Sequence, residues 1–203
     1  MLRTLADRLA ANPLFFHYLR KLPEFNYRAT KARLQTIHAR LGTAPRVLDA
    51  GCGTGEFSHL FDPRGYLGVD IDSGYLRFAH RKNPLHRYER ADITTWAQGG
   101  ERFDLILING VLHHLDDSTA RSFVRSALAH ASDDATCVVI EDTRLANESV
   151  SSSFIHYLDH GDFIRTAEDW MQLLGPLLKV EYSEGFSSGF FDYSLIVGRI
   201  PEE

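Results

Sequence analysis

The stretch VLDAGCGTG, residues 47–55, decides the fold class of this 203-residue chain. It begins as a short apolar strand and ends in three glycines at alternate positions, placed between that strand and an expected helix. Glycine lets the backbone approach a ligand more closely than any side chain allows. A dinucleotide-binding loop has the pattern G-x-G-x-x-G, whose last position is occupied here by Glu56. The pattern D-x-G-x-G-x-G, which starts at Asp49, therefore indicates a different nucleotide-like ligand.

Short strand patterns alternate with helical patterns after this stretch, which predicts an α/β fold with a doubly wound, mostly parallel sheet. The tail carries two more strand patterns separated by a Ser-Ser-Gly turn, which predicts a terminal antiparallel hairpin. Together they give a seven-stranded sheet, with strands at 47–50, 66–71, 86–92, 103–108, 136–142, 177–186 and 191–200. A crossover helix is predicted over 118–131, and a capping box of Thr166 and Asp169 begins a helix that Gly175 ends.

The first part of the chain is predicted to be a helical cap. Apolar spacing indicates helices near 2–9, 14–22 and 25–41, and Gly42 offers a left-handed end to the third. A chain of 203 residues buries one sizeable core, so we expect a single domain, residues 1–203. Its cap comprises residues 1–44, and its cofactor-binding α/β core comprises residues 45–203.

Charge is unevenly distributed along the chain. Residues 1–46 hold nine Arg or Lys against Asp7 and Glu24, a net charge of +7. Because the whole chain has a net charge of −5, the remainder has a net charge of −12. A basic helical face suits an anionic substrate, a membrane surface or an acidic carrier protein, although solvated charges are the more frequent meaning. The acidic main body disfavours nucleic acid as a partner. No oligomeric state is predicted.

The segments that would mark export or a membrane span are not found in the sequence. Apolar runs are far shorter than the roughly 20 residues that cross a bilayer. Asp7 and Arg8 interrupt the stretch that a secretory signal would need. Two cysteines, Cys52 and Cys137, suit a reducing compartment and argue against a disulfide framework or a zinc site. We therefore expect a cytoplasmic protein.

The glycine motif is identified as the first motif of class I S-adenosylmethionine-dependent methyltransferases, and three later segments resemble that family's motifs in the family's order. These are GVD at 68–70, ADI at 91–93 and RFDLILINGVLHHLDD at 102–117. The resemblance extends from about Arg46 to Ile140. It implies that the chain binds S-adenosyl-L-methionine as its cofactor and transfers the methyl group of this molecule.

The resemblance also implies roles for single residues. Asp70 is expected to accept hydrogen bonds from both ribose hydroxyls, with Asp72 as the competitor, and Asp92 to accept one from the adenine amino group. Asp92 could instead cap the turn at Thr94 and Thr95. Asp49 could hold the ammonium of the methionine end, directly or through water. The predicted cofactor-binding residues are Asp49, Gly51, Cys52, Gly53, Gly55, Asp70, Ile71, Asp92, Ile93 and Asn109.

Methyl transfer from a sulfonium needs a placed nucleophile and removal of its proton. His113 and His114 follow the fourth strand, and histidine titrates close to neutral pH. In related small-molecule enzymes, a histidine at the place of His114 contacts substrate or cofactor, in some with a tyrosine from the cap, here Tyr27. His114 is the preferred base. The alternative is that either histidine packs in the structure or bonds a turn.

The acceptor is predicted to be a small molecule, anionic or carried on a lipid or carrier protein. The fourth strand is followed by Asn-Gly-Val-Leu at 109–112 rather than by the Asn-Pro-Pro-aromatic signature of enzymes that methylate nitrogen in DNA or protein. Walls of the substrate site are expected from the cap, the loop at 144–162 and aromatic residues of the tail, which would otherwise be core. The aromatic residues are Phe186, Phe190, Phe191 and Tyr193.

Three other interpretations concern the same residues. A protein that binds the cofactor without catalysis, as a regulatory or scaffold subunit, is compatible with the same motifs. A nicotinamide-dependent oxidoreductase is disfavoured, because the Tyr-x-x-x-Lys pattern at 27–31 precedes the glycine loop. A metal site is not expected, since the spacing of its candidate ligands matches no known signature. Those candidates are Glu141, Asp142, His156 and His160.

Overall fold

The computed structural model describes residues 24–97, 100–144 and 163–201. Within these ranges the chain forms eight β-strands and four α-helices. The strands are β1 Val47–Ala50, β2 Tyr66–Asp70, β3 Arg87–Arg90, β4 Phe103–Asn109, β5 Ala131–Arg144, β6 Arg165–Thr166, β7 Lys179–Ser188 and β8 Phe191–Arg199. The helices are α1 Arg28–Arg40, α2 Ser73–Lys82, α3 Asp117–Leu128 and α4 Ala167–Leu174.

Seven strands form one sheet in the order β3-β2-β1-β4-β5-β8-β7. The first five are parallel to one another, and β8 is antiparallel to both β5 and β7. The predicted doubly wound, mostly parallel sheet with a terminal antiparallel hairpin is thus confirmed. The two-residue strand β6 pairs with the end of β5 outside this order and was not predicted.

Side chains of the sheet alternate between two buried clusters because successive residues of a strand point to opposite faces. In β1, Leu48 and Ala50 belong to the cluster covered by α3 and α4, and Val47 belongs to the other. Phe123 and Trp170 pack against the first face. The second face is covered by α1 and by the aromatic residues of the C-terminal hairpin.

One expected helix is absent from its place after the glycine motif. The chain there makes only a short 3-10 helix, Ser58–Leu60, because few residues separate Gly55 from β2 and Pro63 lies among them. The face that this helix would cover is covered by α1 instead. Leu34 of α1 is buried in the same cluster as Phe57 and Phe61.

The N-terminal helix that the structure describes agrees with prediction. A 3-10 turn, Phe25–Tyr27, leads into α1, and Gly42 follows its end with a φ of +84°. The helices predicted near 2–9 and 14–22 lie outside the described residues, as does most of the predicted loop at 144–162. No helix in the described part of the chain is long and apolar enough to cross a membrane.

The helix before the hairpin begins as predicted. The side chain of Thr166 accepts a hydrogen bond from the backbone of Asp169, whose carboxylate accepts one from the backbone of Thr166. This reciprocal pair satisfies two of the N–H groups that a helix leaves unbonded at its start. Gly175 ends α4 with a right-handed φ of −55°. The parallel strands leave their carboxyl ends at one edge of the sheet, where ligands of such folds bind.

Candidate functional site

The glycine loop, residues 51–55, follows β1 and has positive φ at each of its glycines: +77° at Gly51, +52° at Gly53 and +63° at Gly55. A Cβ on Gly51 would lie 2.9 Å from Val111, and one on Gly55 would lie 2.7 Å from the hydroxyl of Tyr88. A Cβ on Gly53 would meet no atom within 4 Å. Two of the glycines are therefore required by packing as well as by backbone geometry, whereas Gly53 faces open space.

Asp49 is buried in β1, where its Oδ2 accepts a hydrogen bond of 2.6 Å from the hydroxyl of Tyr66. Burial, together with the nearby charge of Asp70, raises the pKa of Asp49 to about 7, while the Tyr66 hydrogen bond acts in the opposite direction. Tyr66 is a partner that the sequence did not reveal. The predicted contact of Asp49 with a methionine ammonium stays a prediction.

Asp70 is joined to the glycine loop, and its competitor Asp72 is engaged elsewhere. Asp70 accepts N–H bonds of 2.8 Å from Gly53 and from Asp72. Burial raises the pKa of Asp70, and these two N–H bonds act in the opposite direction. The carboxylate of Asp72 caps α2 by accepting two of its first N–H groups. Ile71, between them, is 63% exposed, which leaves an apolar surface beside the carboxylate of Asp70.

Asp92 caps the turn at Thr94, which is the alternative role that the sequence offers for it. Its Oδ1 accepts hydrogen bonds from the backbone N–H of Thr94 at 2.9 Å and from the Thr94 hydroxyl at 2.7 Å. Its role at the adenine amino group therefore stays a prediction. Ile93 and Cys52 are both buried, and burial raises the pKa of the Cys52 thiol well above its usual range. Cys52 is thus a small packing residue of the loop rather than a reactive thiol.

The segment after β4, residues 110–115, holds both candidate base residues, and we refer to it as the histidine turn. Asn109 ends β4 half-buried, and Gly110 turns the chain with a φ of +67°. A 3-10 helix, Leu112–His114, follows. Val111 of this turn is the side chain that packs against Gly51. The histidine turn and the glycine loop therefore touch at the ligand-binding edge of the sheet.

The two histidines lie in different environments. His113 is buried, and its Nδ1 is 2.8 Å from Glu141 and 3.4 Å from Asp142. His114 is exposed, and its ring centroid is 4.1 Å from that of His113. An acceptor molecule can approach only the exposed imidazole. This difference separates two residues that are adjacent and equivalent in the sequence.

The acidic pair at the end of β5 contacts the histidine turn. Glu141 accepts hydrogen bonds from three backbone N–H groups of that turn and from the ring of His113. The backbone carbonyl of Asp142 accepts a bond from Trp170. Among the described residues, no group of His, Cys, Asp and Glu is arranged to hold a metal ion. His156 and His160 lie outside those residues.

On the cap side, Tyr27 lies next to the ion pairs that tie α1 to the glycine loop. Its ring meets that of Phe57 edge-on at 5.5 Å, and Lys31 Nζ lies 5.8 Å from its centroid. Glu56 binds Lys31 at 2.8 Å and Lys82 at 2.6 Å. Although burial acts to raise the pKa of Glu56, these two lysines lower it to about 2. Lys31 of the Tyr-x-x-x-Lys pattern is therefore the partner of a carboxylate.

The aromatic residues of the tail divide into core and surface. Phe186 and Tyr193 stack at 5.4 Å and are buried, as is Phe191. Phe190, at the tip of the hairpin, is exposed and lies 6.0 Å from the exposed ring of Phe25. Three of the four predicted wall residues thus belong to the core, and Phe190 is at the surface.

The described residues fit a nucleoside-bearing ligand. The open space at Gly53, the carboxylate of Asp70 bonded to that glycine, and the exposed side chain of Ile71 lie together after β1 and β2. A sheet of this order with a glycine-rich loop after β1 and an acidic residue at the end of β2 defines the Rossmann-like class of nucleotide-binding folds.

Comparison with known proteins identifies the family within that class. A family model described as a methyltransferase domain matches residues 17–176, which is most of the chain. The chain belongs to the class I S-adenosylmethionine-dependent methyltransferase family, whose methyl donor is S-adenosylmethionine.

Solved structures share the fold. A 1,6-didemethyltoxoflavin-N1-methyltransferase from Burkholderia thailandensis, with 1,6-didemethyltoxoflavin and S-adenosylhomocysteine bound, has a TM-score of 0.72 at 20% identity over 98% of this chain and 88% of that one. The magnesium protoporphyrin IX methyltransferase of Synechocystis PCC 6803 with S-adenosylhomocysteine has a TM-score of 0.68 at 15% identity, over 87% and 84%. At these identities the likeness shows the fold alone.

Curated relatives match a shorter part of the chain. A trans-aconitate 2-methyltransferase from Variovorax paradoxus is 36% identical over 81 residues, 38% of this chain and 31% of the relative. A malonyl-[acyl-carrier protein] O-methyltransferase from Hamiltonella defensa is 36% identical over 73 residues, 35% and 28%. The chain therefore spans about a third of the length of these curated relatives.

Proposed function

We propose that this protein transfers a methyl group from S-adenosylmethionine to an oxygen or nitrogen atom of a small-molecule acceptor, with His114 as general base. The observation that supports the proposal most is the contact between the glycine loop and the histidine turn. Because Val111 packs against Gly51, the exposed imidazole of His114 belongs to a segment that touches the cofactor loop.

The cofactor site in this proposal extends along the carboxyl ends of β1 to β4. Asp70 would accept hydrogen bonds from the ribose hydroxyls, and the exposed side chain of Ile71 would lie against the adenine face. Asp49 would hold the ammonium of the methionine end, and the backbone of Asn109 would face that end of the ligand. Gly53 leaves the space that the ligand needs. The remaining residues assigned to the site are Gly51, Cys52, Gly55, Asp92 and Ile93.

When bound, S-adenosylmethionine would supply an electrophilic methyl group on a positively charged sulfur. A lone pair of the acceptor would bond to the methyl carbon while the carbon–sulfur bond breaks, with S-adenosylhomocysteine as the leaving group. The chain's own contribution is to place the acceptor and to take its proton. An imidazole nitrogen of His114 would receive the proton from an attacking hydroxyl or amine, since a neutral imidazole is a base near neutral pH, whereas a carboxylate oxygen attacks with no proton to remove. Tyr27, on the cap side, is proposed to help orient the acceptor.

The acceptor is proposed to be a small anionic molecule or one linked to a carrier protein. Two of the curated relatives are named for trans-aconitate and for the malonyl group of acyl-carrier protein, and both of these acceptors are carboxylates. The net positive charge of residues 1–46 is opposite in sign to the charge of such an acceptor and would attract it. The walls of the acceptor site would include the exposed pair of Phe25 and Phe190.

The test measures formation of S-adenosylhomocysteine with trans-aconitate, malonyl-acyl-carrier protein and a neutral nitrogen heterocycle as candidate acceptors. We expect turnover with at least one of the two carboxylates, and none without an acceptor. Calorimetry with S-adenosylmethionine and S-adenosylhomocysteine, beside NADH as control, tests binding of the cofactor itself. Binding of both sulfur nucleosides without turnover on any acceptor would favour a regulatory or scaffold subunit, and binding of neither would refute the proposal.

A further inference from the structure

We propose that Glu141 is a positioning residue for the methyl transfer, which it serves by fixing the histidine turn and the tautomer of His113. The inference rests on the proposed function, because it assigns the fixed turn to the placement of His114. Glu141 lies in β5, 28 residues from His113 in the chain. Its carboxylate is 1% exposed, so its contacts are almost entirely with the protein.

The described side-chain hydrogen bonds of Glu141 are all made to the histidine turn. One oxygen accepts the backbone N–H groups of Val111 at 3.0 Å and Leu112 at 2.8 Å. The other accepts the backbone N–H of His113 at 3.3 Å and its ring Nδ1–H at 2.8 Å. A single 3-10 turn leaves its first N–H groups unbonded, and here one buried carboxylate bonds them.

The opposite end of the turn is fixed by Arg165, which is also buried. Its guanidinium donates to the carbonyl oxygens of Leu112 at 3.2 Å and Leu115 at 2.8 Å, and to the carboxylate of Asp117 at 2.7 Å. The backbone N–H of Phe163 donates to the carbonyl of His113 at 3.0 Å. The N–H groups of residues 111–113 therefore donate to Glu141, and the carbonyl groups of Leu112, His113 and Leu115 accept from Arg165 or Phe163.

A buried carboxylate is expensive in free energy, and the four hydrogen bonds that Glu141 accepts from the histidine turn offset that cost only while the turn keeps this conformation. Glu141 therefore holds the turn in one geometry. It keeps Val111 against Gly51 of the cofactor loop and fixes the backbone that carries His114. A small displacement of a catalytic group has a large effect on rate, so this position bears directly on turnover.

The tautomer of His113 gives the inference a direct spectroscopic readout. A carboxylate only accepts hydrogen bonds, so the contact at 2.8 Å requires the proton of His113 to be on Nδ1. In Glu141→Gln, the amide oxygen can keep the bonds from Val111 and Leu112, which places the amide NH₂ towards His113. With an NH₂ donor in place of the carboxylate oxygen 2.8 Å away, and the Asp142 carboxylate farther off at 3.4 Å, we expect the imidazole to accept at Nδ1 and carry its proton on Nε2, with little change in shape.

The experiment records ¹⁵N spectra of the histidine rings in the wild type, Glu141→Gln and Glu181→Gln. Glu181 forms a half-exposed ion pair with Arg199 in the terminal hairpin and is the matched control. We expect the Nδ1–H tautomer of His113 in the wild type and in Glu181→Gln, and the Nε2–H tautomer in Glu141→Gln. Turnover should fall at least tenfold in Glu141→Gln only, while the affinity for S-adenosylhomocysteine stays within about threefold.

Arg165→Lys provides a second variant if Glu141→Gln does not fold. Lysine keeps the ion pair with Asp117 but cannot donate to two carbonyl groups at once, so turnover should fall while His113 keeps its tautomer. An Nε2–H tautomer in the wild type, or unchanged turnover in a folded Glu141→Gln, would overturn the inference. Failure of the wild type to bind S-adenosylhomocysteine would instead refute the proposed function, and the ring spectra distinguish these two results.

Discussion

The hydroxyl of Tyr66 donates a hydrogen bond of 2.6 Å to the carboxylate of Asp49, inside the sheet and directly before the glycine loop. Both side chains are buried, and burial raises the pKa of each above its usual value. Asp49 is thus the first acidic residue of the cofactor motif and also a group whose ionisation the fold opposes. Its charge state links pH to the stability of the strand that carries the loop.

This pair predicts a pH dependence of stability. The unfolded chain releases the Asp49 proton near its ordinary pKa of 3.8, while the native state keeps it up to about pH 7. Through this group, a rise in pH therefore lowers the free energy of unfolding, and Asp49→Asn removes that pH dependence. Between pH 5 and pH 8, the free energy of unfolding of Asp49→Asn should increase relative to wild type by roughly 2 to 3 kcal/mol.

Urea unfolding at both pH values measures this difference. Asp133→Asn, at an exposed position of β5, is the control and should differ from wild type equally at pH 5 and pH 8. The same behaviour in Asp49→Asn would contradict the prediction.

The two acidic residues around Ile71 give a matched test of the ribose contact. Asp70→Asn should weaken binding of S-adenosylhomocysteine about tenfold, because the amide offers one acceptor oxygen in place of two. Asp72→Asn should leave the affinity within about twofold, since asparagine caps a helix as well as aspartate does. Isothermal calorimetry measures both. Equal losses of affinity, or a larger loss for Asp72→Asn, would exclude Asp70 as the ribose ligand.

Alanine substitutions in the glycine loop should separate ligand space from packing. Gly53→Ala meets no neighbouring atom and should cost roughly 1 to 2 kcal/mol of stability for its positive φ, while abolishing most cofactor affinity. Gly51→Ala brings its Cβ to 2.9 Å from Val111 and should destabilise the fold more. Thermal unfolding ranks the two stabilities, and calorimetry reports binding. A stable Gly53→Ala that binds S-adenosylhomocysteine like wild type would place the ligand elsewhere.

The adjacent histidines should respond differently to truncation. His114→Ala removes the proposed base, which is exposed, and should lower turnover on a hydroxyl or amine acceptor about 100-fold, with stability changed by less than about 0.5 kcal/mol. His113→Ala leaves the buried carboxylate of Glu141 without its ring donor and should cost about 3 kcal/mol of stability. Turnover and urea unfolding are measured on both variants. Unchanged turnover in His114→Ala would reject it as the base.

Much of the fold was predictable from the sequence. The strand patterns, the capping box at Thr166 and the stop at Gly42 all depend on residues close together in the chain, and the structure confirms them. The exception is the helix expected after the glycine loop, which the short connection to β2 cannot accommodate. Its place on the sheet is taken by α1, and no local pattern indicates which helix covers which face.

The site was predictable to a smaller extent, because its partners are far apart in the sequence. Glu141 and Asp142 stood out only as acidic neighbours, and Arg165 and Tyr66 had no distinguishing pattern. The bonds of Tyr66 to Asp49, of Glu141 to His113 and of Arg165 to Leu112 join residues that are 17, 28 and 53 positions apart. The acidic pair at the end of β5 was the one available signal.

The glycine motif indicated a nucleotide-like ligand, because glycine permits a close backbone approach in any fold, and the acidic motifs after it identified that ligand as S-adenosylmethionine. The alternation of strand and helix patterns predicted a mostly parallel sheet, whereas the order of its strands came from the structure. Only the tertiary structure decided which histidine is exposed, since burial depends on what packs against a side chain. The pairing of β4 with β5 places Glu141 beside His113, while His114 is exposed at the surface. Because the two histidines are adjacent and identical, the sequence carries no signal of that difference.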